Sequence, residues 1–101
     1  MRSNTMIDPE YFEKVAQIYK VLGSRKRLEI INTLGKGELS VDDLSKILKI
    51  SSSNLSQHLS HLRYVQLVKT RRYGAKVFYR LSDAKLLDLG ERFRVYLKAI
   101  K

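Results

Sequence analysis

The spacing of apolar residues changes character along the chain, and the changes mark out its elements. Phe12, Val15, Ala16, Tyr19 and Leu22 recur at three- and four-residue intervals, the period of one helical face. Tyr11 and Ile18 widen that stripe, which predicts a first helix with two contacts, one to the core and one to a partner. Asp8-Pro9 marks its start, because Asp caps and Pro fits the first helical position, where its missing N–H costs nothing. Gly23-Ser24 separates it from a second helix with Leu28, Ile30, Ile31 and Leu34 on its inner face. Gly35 is expected to end that helix in left-handed geometry.

Ser40-Val41-Asp42-Asp43 resembles a capping box, with Asp in place of the usual Glu or Gln. It predicts a short helix with Val41, Leu44, Ile47 and Leu48 inward. After a turn at Ile50-Ser51, Ser51 or Ser52 caps a further helix with Leu55, Leu59 and Leu62 inward. Two short helices joined so closely, over about 40–64, form a helix-turn-helix pattern. The period then drops to two. Val68, Thr70 and Arg72 alternate with Leu67, Lys69 and Arg71, and Val77, Tyr79 and Leu81 alternate with Lys76, Phe78 and Arg80. With a bend at Tyr73-Gly74-Ala75, this predicts a β-hairpin over about 67–81. Ser82-Asp83 opens a last helix over about 83–100, expected to bury Leu86, Leu89, Gly90, Phe93, Leu97 and Ile100. The expected class is α+β, mainly helical, in the order α-α-α-α-β-β-α: one domain over 8–101 behind a flexible arm over 1–7.

Charge gives the first functional direction. Twenty Lys and Arg against ten Asp and Glu leave a formal net charge of +10, which favours a polyanionic partner. From Leu44 to Arg80 stand eight cationic residues and no acidic one, so all ten acids lie elsewhere in the chain. A solvated face normally mixes both signs, and this segregation points to a contact surface.

The fourth helix carries the sharper signal. With its leucines inward, Ser53, Gln57, Ser60, His61 and Tyr64 point outward, flanked by Asn54 and Ser56, and His58 lies nearer the inner edge. A face that enters the major groove needs slim side chains that meet base edges; Asn and Gln pair bidentately with adenine, and Ser donates or accepts. Ser52, Ser53, Asn54, Ser56, Gln57, Ser60 and His61 are therefore the candidate base-reading residues of double-stranded DNA. In isolation, a Ser-rich helix start reads more simply as caps and solubilising groups. The adjacent hairpin reverses that balance: Arg63, Lys69, Arg71, Arg72 and Lys76 are candidates for phosphates or a minor groove, with Arg71 expected to weaken all duplexes alike when removed. Alone, the same cations would equally suit an edge strand guarded against aggregation. Two rival readings are a winged-helix module for an acidic protein surface and a non-specific architectural DNA protein; the uncharged reading face argues against the second.

Other chemistry finds little footing. With no Cys, thiolate metal sites and disulfides are excluded. No apolar run approaches the ~20 residues of a membrane span, so no membrane partner is expected and a cytoplasmic setting is. His58 and His61 are three apart, yet no third ligand is evident and zinc needs three or four, so no metal or other cofactor is expected. No Ser-His-Asp arrangement, carboxylate pair in a cleft or Gly-rich phosphate loop suggests an enzyme.

From Val21 to Ile100 the chain resembles the ArsR/SmtB family of winged helix-turn-helix repressors. The matching segments are VLGSRKRLEIINTL, GELSVDDLSKILKISSSNLSQHLSHLR and LVKTRRYGAKVFYRLSD, with Ser56-x-His58-Leu59 and Tyr79-Arg80-Leu81 in the family's order and spacing. The resemblance implies a homodimer paired through the first and last helices, by Tyr11, Val15, Ile18, Leu22, Leu86, Leu89, Phe93, Tyr96, Leu97 and Ile100, on an operator with dyad symmetry. It also implies repression relieved by an inducer, here an unknown small molecule. The departures are specific. Ser40 and Asp42 stand where soft-metal sensors carry Cys-x-Cys; Asp83, Lys85, Tyr96 and Ala99 stand where zinc sensors place Asp, His, His and Glu. Gln66 replaces the family's usual Gly before Leu67, and Gln57 stands where Arg is common.

Overall fold

The computed structural model describes residues 8–100, so the arm expected over 1–7 lies outside the described residues. Five helices and three strands follow in order: α1 (Pro9–Leu22), α2 (Arg25–Leu34), β1 (Leu39–Ser40), α3 (Val41–Leu48), α4 (Ser52–Tyr64), β2 (Val68–Tyr73), β3 (Lys76–Leu81) and α5 (Leu86–Ala99). Four helix starts are capped by a side-chain oxygen accepting a free backbone N–H: Asp8 from Glu10, Ser24 from Arg27, Ser40 from Asp43 and Ser51 from Asn54. Of the two serines that could cap α4, Ser51 does so. Lys49 ends α3 in the left-handed region at φ 56°. The Ser45 hydroxyl donates to the Ile50 carbonyl at 2.5 Å, closing the turn between α3 and α4.

The expected element order needs one addition. β1 pairs antiparallel with β3, Leu39 opposite Tyr79 and Ser40 opposite Phe78, giving a three-stranded sheet in the order β1-β3-β2. Two residues carry no readable period, so periodicity alone could not announce this strand. β2 and β3 pair from Val68–Leu81 to Tyr73–Lys76 around Gly74-Ala75, with Gly74 at φ 62°, the positive value a two-residue hairpin favours.

The core is assembled from α2, α3, α4 and the base of the hairpin. Ile30, Leu44, Leu55, Leu59, Leu62 and Val68 are fully buried, with Ile31, Leu34 and Leu67 beside them. Burying each such aliphatic side chain is worth about 1.5–3 kcal/mol. Two residues expected inward are not: Leu28 is 51% exposed and Ile47 55%. Leu28 precedes Ile30 by two residues, ~200° around the helix, and Ile47 sits at the margin of the narrow Val41–Leu44–Leu48 stripe.

α5 departs furthest from expectation. It begins at Leu86, not at residue 83, because Asp83 first drives a tight turn: its carboxylate accepts from the Lys85 N–H at 2.9 Å and its carbonyl from the Leu86 N–H at 3.0 Å. Leu86 and Leu87 are half-buried; Leu89, Gly90, Phe93, Tyr96, Leu97 and Ile100 are exposed within the single chain. Gly35 likewise has a different reason from the one expected. Its φ of −62° is ordinary right-handed geometry, but a Cβ there would lie 2.6 and 2.8 Å from the Leu87 methyls, so glycine admits the start of α5 against the end of α2.

Candidate nucleic-acid interface

α4 turns three leucines to the core, keeps His58 half-buried at its flank, and leaves the rest to solvent. Leu55, Leu59 and Leu62 are fully buried, while Ser52, Ser53, Asn54, Ser56, Gln57, Ser60, His61, Arg63 and Tyr64 are all exposed. All seven candidate base-reading residues are thus accessible, spread around the sides of α4 not taken by the leucines. At ~100° per residue, Ser53, Gln57 and Tyr64 lie opposite the leucines, and Ser56 and Arg63 lean toward the sheet. Among the described residues no side-chain hydrogen bond occupies Asn54, Ser56, Gln57 or Ser60, so their donors and acceptors remain available. An open groove of about 390 Å³ runs between α4 and β3, lined by Ser56, Ser60, Arg63, Tyr64 and Tyr79.

α4 is fixed on its other flank by His58. The Nε of Arg27 donates to His58 Nδ1 at 3.1 Å, and Arg27 Nη1 donates to the Val21 carbonyl at 3.1 Å. One side chain therefore joins the end of α1 and the start of α2 to the middle of α4. Burial holds the His58 imidazole below its ordinary pKa, helped by the charges of Arg27, His61 and Lys26. That favours the neutral ring, the only form with an acceptor nitrogen to offer Arg27. His58 and Arg27 are 31 residues apart, and nothing local in the sequence pairs them.

The hairpin's cations divide between two faces. Strand alternation sets Thr70, Arg72, Val77 and Tyr79 on the side of the buried Val68. Lys69, Arg71, Tyr73, Lys76, Phe78 and Arg80 share the other side. A second open groove, about 640 Å³, gathers Arg63, Lys69 and Arg80 with Gln66, Val68, Thr70 and Ser82 and contains no acid. Arg80 and Tyr64 were not among the sequence candidates. The helical repeat already placed Tyr64 outward, whereas the grouping of Arg80 with Arg63 needed the fold.

Arg71 differs from its neighbours. Its Nε and Nη2 donate to the two oxygens of Glu38 at 3.0 and 2.8 Å, and its guanidinium lies 5.5 Å from the centre of the Phe78 ring and 5.6 Å from that of Tyr73. The hydrogen bond from Arg71 holds the Glu38 carboxyl below the usual carboxylate range, and Arg71 is raised in turn. The stretch free of acids in sequence is not free of them in space. His58 and His61 gain no metal-binding company, as no group of three or more His, Asp or Glu gathers among the described residues. No helix of those residues is long and apolar enough to cross a membrane.

Residues 24–70 match the family of bacterial regulatory proteins of arsR type. The chain is 40% identical over 87 residues to the transcriptional activator HlyU of Vibrio cholerae, spanning 85% of this chain and 81% of that protein. The chain belongs to the ArsR family. The solved HlyU structure superposes with a TM-score of 0.77 at 37% identity, covering 85% of this chain and 97% of that one. The transcriptional repressor SmtB homolog of Synechocystis is 36% identical over 76% of this chain, which spans 58% of that protein's length. The homodimeric winged helix-turn-helix DNA-binding domain Mb0332 of Mycobacterium bovis, a solution structure, superposes with a TM-score of 0.78 at 26% identity, covering 86% of this chain and 81% of that one. As an ArsR-family protein the chain is a winged-helix DNA-binding transcriptional regulator, not an enzyme; α3 and α4 are its helix-turn-helix and β2–β3 its wing.

Proposed function

We propose that this regulator works in the cytoplasm as a homodimer on an operator with dyad symmetry, and that it represses by occupying the promoter. The observation that carries the proposal is the exposed, uncharged amide-and-hydroxyl face of α4 beside a cationic wing. Pairing through α1 and α5 covers Tyr11, Leu89, Phe93, Tyr96, Leu97 and Ile100, which the single chain leaves in water. Val15 at the half-exposed margin of α1 joins them, while Ile18, Leu22 and Leu86 also pack on their own core and anchor the paired helices to it. The pairing sets two copies of α4 ~34 Å apart, one turn of duplex, so that they enter successive major grooves. Ser52, Ser53, Asn54, Ser56, Gln57, Ser60 and His61 then meet base edges, while Arg63, Lys69, Arg72 and Lys76 hold phosphates. HlyU is a named activator and the SmtB homolog a named repressor. Occlusion of polymerase requires nothing beyond the bound dimer, which favours repression here.

Selection of bound sequences from random duplex DNA tests the whole reading. Enrichment of a two-fold symmetric site is expected, and Gln57→Ala should change the enriched bases at one position per half-site, with about 1–3 kcal/mol of lost discrimination. Unstructured enrichment, or a Gln57→Ala protein selecting the same site, would overturn the assignment of α4.

A further inference from the structure

The wing's most elaborate side-chain arrangement is satisfied within the chain, although the Arg71 side chain stays 51% exposed. The Arg71 fork is filled by both oxygens of Glu38, its plane lies near two aromatic rings, and the partner carboxylate is 28% exposed. A bidentate arginine–carboxylate pair is the strong form of this interaction: it fixes the plane of the guanidinium and compensates its charge, which lowers what Arg71 offers a phosphate. Glu38 lies immediately before β1, which pairs with β3 and not with β2. Its bond to Arg71 therefore crosses over β3 and ties the outer strand of the sheet to the loop that enters the helix-turn-helix. Arg72, one residue on, points from the opposite face, on the side that carries Tyr79 and the groove along α4.

We propose that Glu38 and Arg71 form a positioning clip: Glu38 holds the edge strand of the wing so that Arg72, not Arg71, meets the duplex. The inference rests on the reading that the wing engages DNA, and it divides the wing's cations by task. Arg71 sets the angle of the wing relative to α4, and its charge is already compensated. Arg63, Lys69, Arg72 and Lys76 carry the charge that the duplex meets.

The sign of one substitution decides the matter. Glu38→Gln removes a negative charge from a surface that approaches phosphates, so electrostatics alone makes that variant bind more tightly. A positioning role makes it bind more weakly. Anisotropy titrations with a labelled mixed-sequence duplex, repeated over a range of salt, should show Glu38→Gln weakened roughly threefold with its salt slope unchanged. Arg71→Ala should lose a similar factor, also without a change in slope, and the double variant should bind no worse than Arg71→Ala alone. Amide exchange should quicken in β2 and stay unaltered in α4 in the folded Glu38→Gln protein. Arg72→Ala should flatten the slope by about 0.9. Tighter binding by Glu38→Gln, or a slope reduced by a full contact in Arg71→Ala, overturns the clip. An unchanged slope in Arg72→Ala also overturns the clip, whereas unchanged slopes in Arg72→Ala, Lys69→Ala and Lys76→Ala alike overturn instead the reading that the wing meets DNA.

Discussion

The bundle of α2, α3 and α4 and the pair of outer helices follow opposite rules. The bundle hides its large aliphatic side chains almost completely, with Ile30, Leu44, Leu55, Leu59 and Leu62 at 0% exposure. Neither α1 nor α5 contains a single buried residue, although both are amphipathic and rich in aromatics. Tyr11, Phe12 and Tyr19 on α1 and Leu89, Phe93, Tyr96, Leu97 and Ile100 on α5 stand in water. Apolar surface of that extent on a small chain marks an interaction surface. The bundle is thus a fold that one chain completes, whereas α1 and α5 keep an apolar face that their own chain leaves uncovered. α4 belongs to the first kind, so its shape is set within the monomer.

Two substitutions should separate these regions, and they carry the largest effects. Leu59→Ala, which opens a cavity under α4, should cost about 2–5 kcal/mol in urea unfolding, to the same extent whatever the protein concentration. Phe93→Asp should leave α4 folded, render the protein monomeric in sedimentation, and weaken binding to a dyad site by roughly a hundredfold, because the second half-site no longer adds its contacts. A Phe93→Asp protein that still sediments as a dimer would remove α5 from the interface.

The same comparison explains what could be read from sequence. Within the bundle, apolar period and caps act over a few residues, so the helix-turn-helix, its leucines and the exposed face of α4 followed from spacing alone. Stripes were read too generously at Leu28, ~200° around α2 from Ile30, and at Ile47, at the margin of the α3 stripe. The spacing along α5 predicts burial of an apolar face and the resemblance implies pairing through it; within one chain that face is exposed, because periodicity does not report what covers it. Contacts distant in sequence left no trace: Glu38 reaches Arg71 across 33 residues, and Arg27 reaches His58 across 31. The acid-free stretch reads in sequence as a surface of one sign, yet the fold sets Glu38 against Arg71 within it.

A smaller effect belongs to the joint between α4 and the wing. Gln66 sits in the left-handed region at φ 64°, where a side chain costs about 1–2 kcal/mol relative to right-handed geometry. Its carbonyl accepts from the Ser82 hydroxyl at 2.6 Å, a bond made by backbone and kept in any substitution. Gln66→Gly relieves the strain and loses part of the gain to a freer unfolded chain, so a net stabilisation of about 0.5 kcal/mol is expected in thermal unfolding. Destabilisation would mean that the Gln side chain makes a contact worth more than the strain.

The smallest effect concerns His58, which joins the bundle to the end of α1 through Arg27. Burial and the neighbouring charges of Arg27, His61 and Lys26 depress its pKa in the folded protein below the value of about 6.5 for a free imidazole. The unfolded chain therefore takes up a proton at higher pH than the native one. Its contribution to stability is whole above that free value and is lost as pH falls from there through the depressed native pKa. Protonation also removes the acceptor that Arg27 Nε uses and sets two cations against each other. Stability measured between about pH 7.5 and 5.5 should thus decline more steeply in the native sequence than in His58→Gln, whose amide oxygen accepts at every pH. His61 is common to both proteins, so the difference between the two profiles isolates His58. Parallel profiles would show that the Arg27–His58 bond contributes nothing to holding α4, whose anchoring would then rest on its three leucines alone.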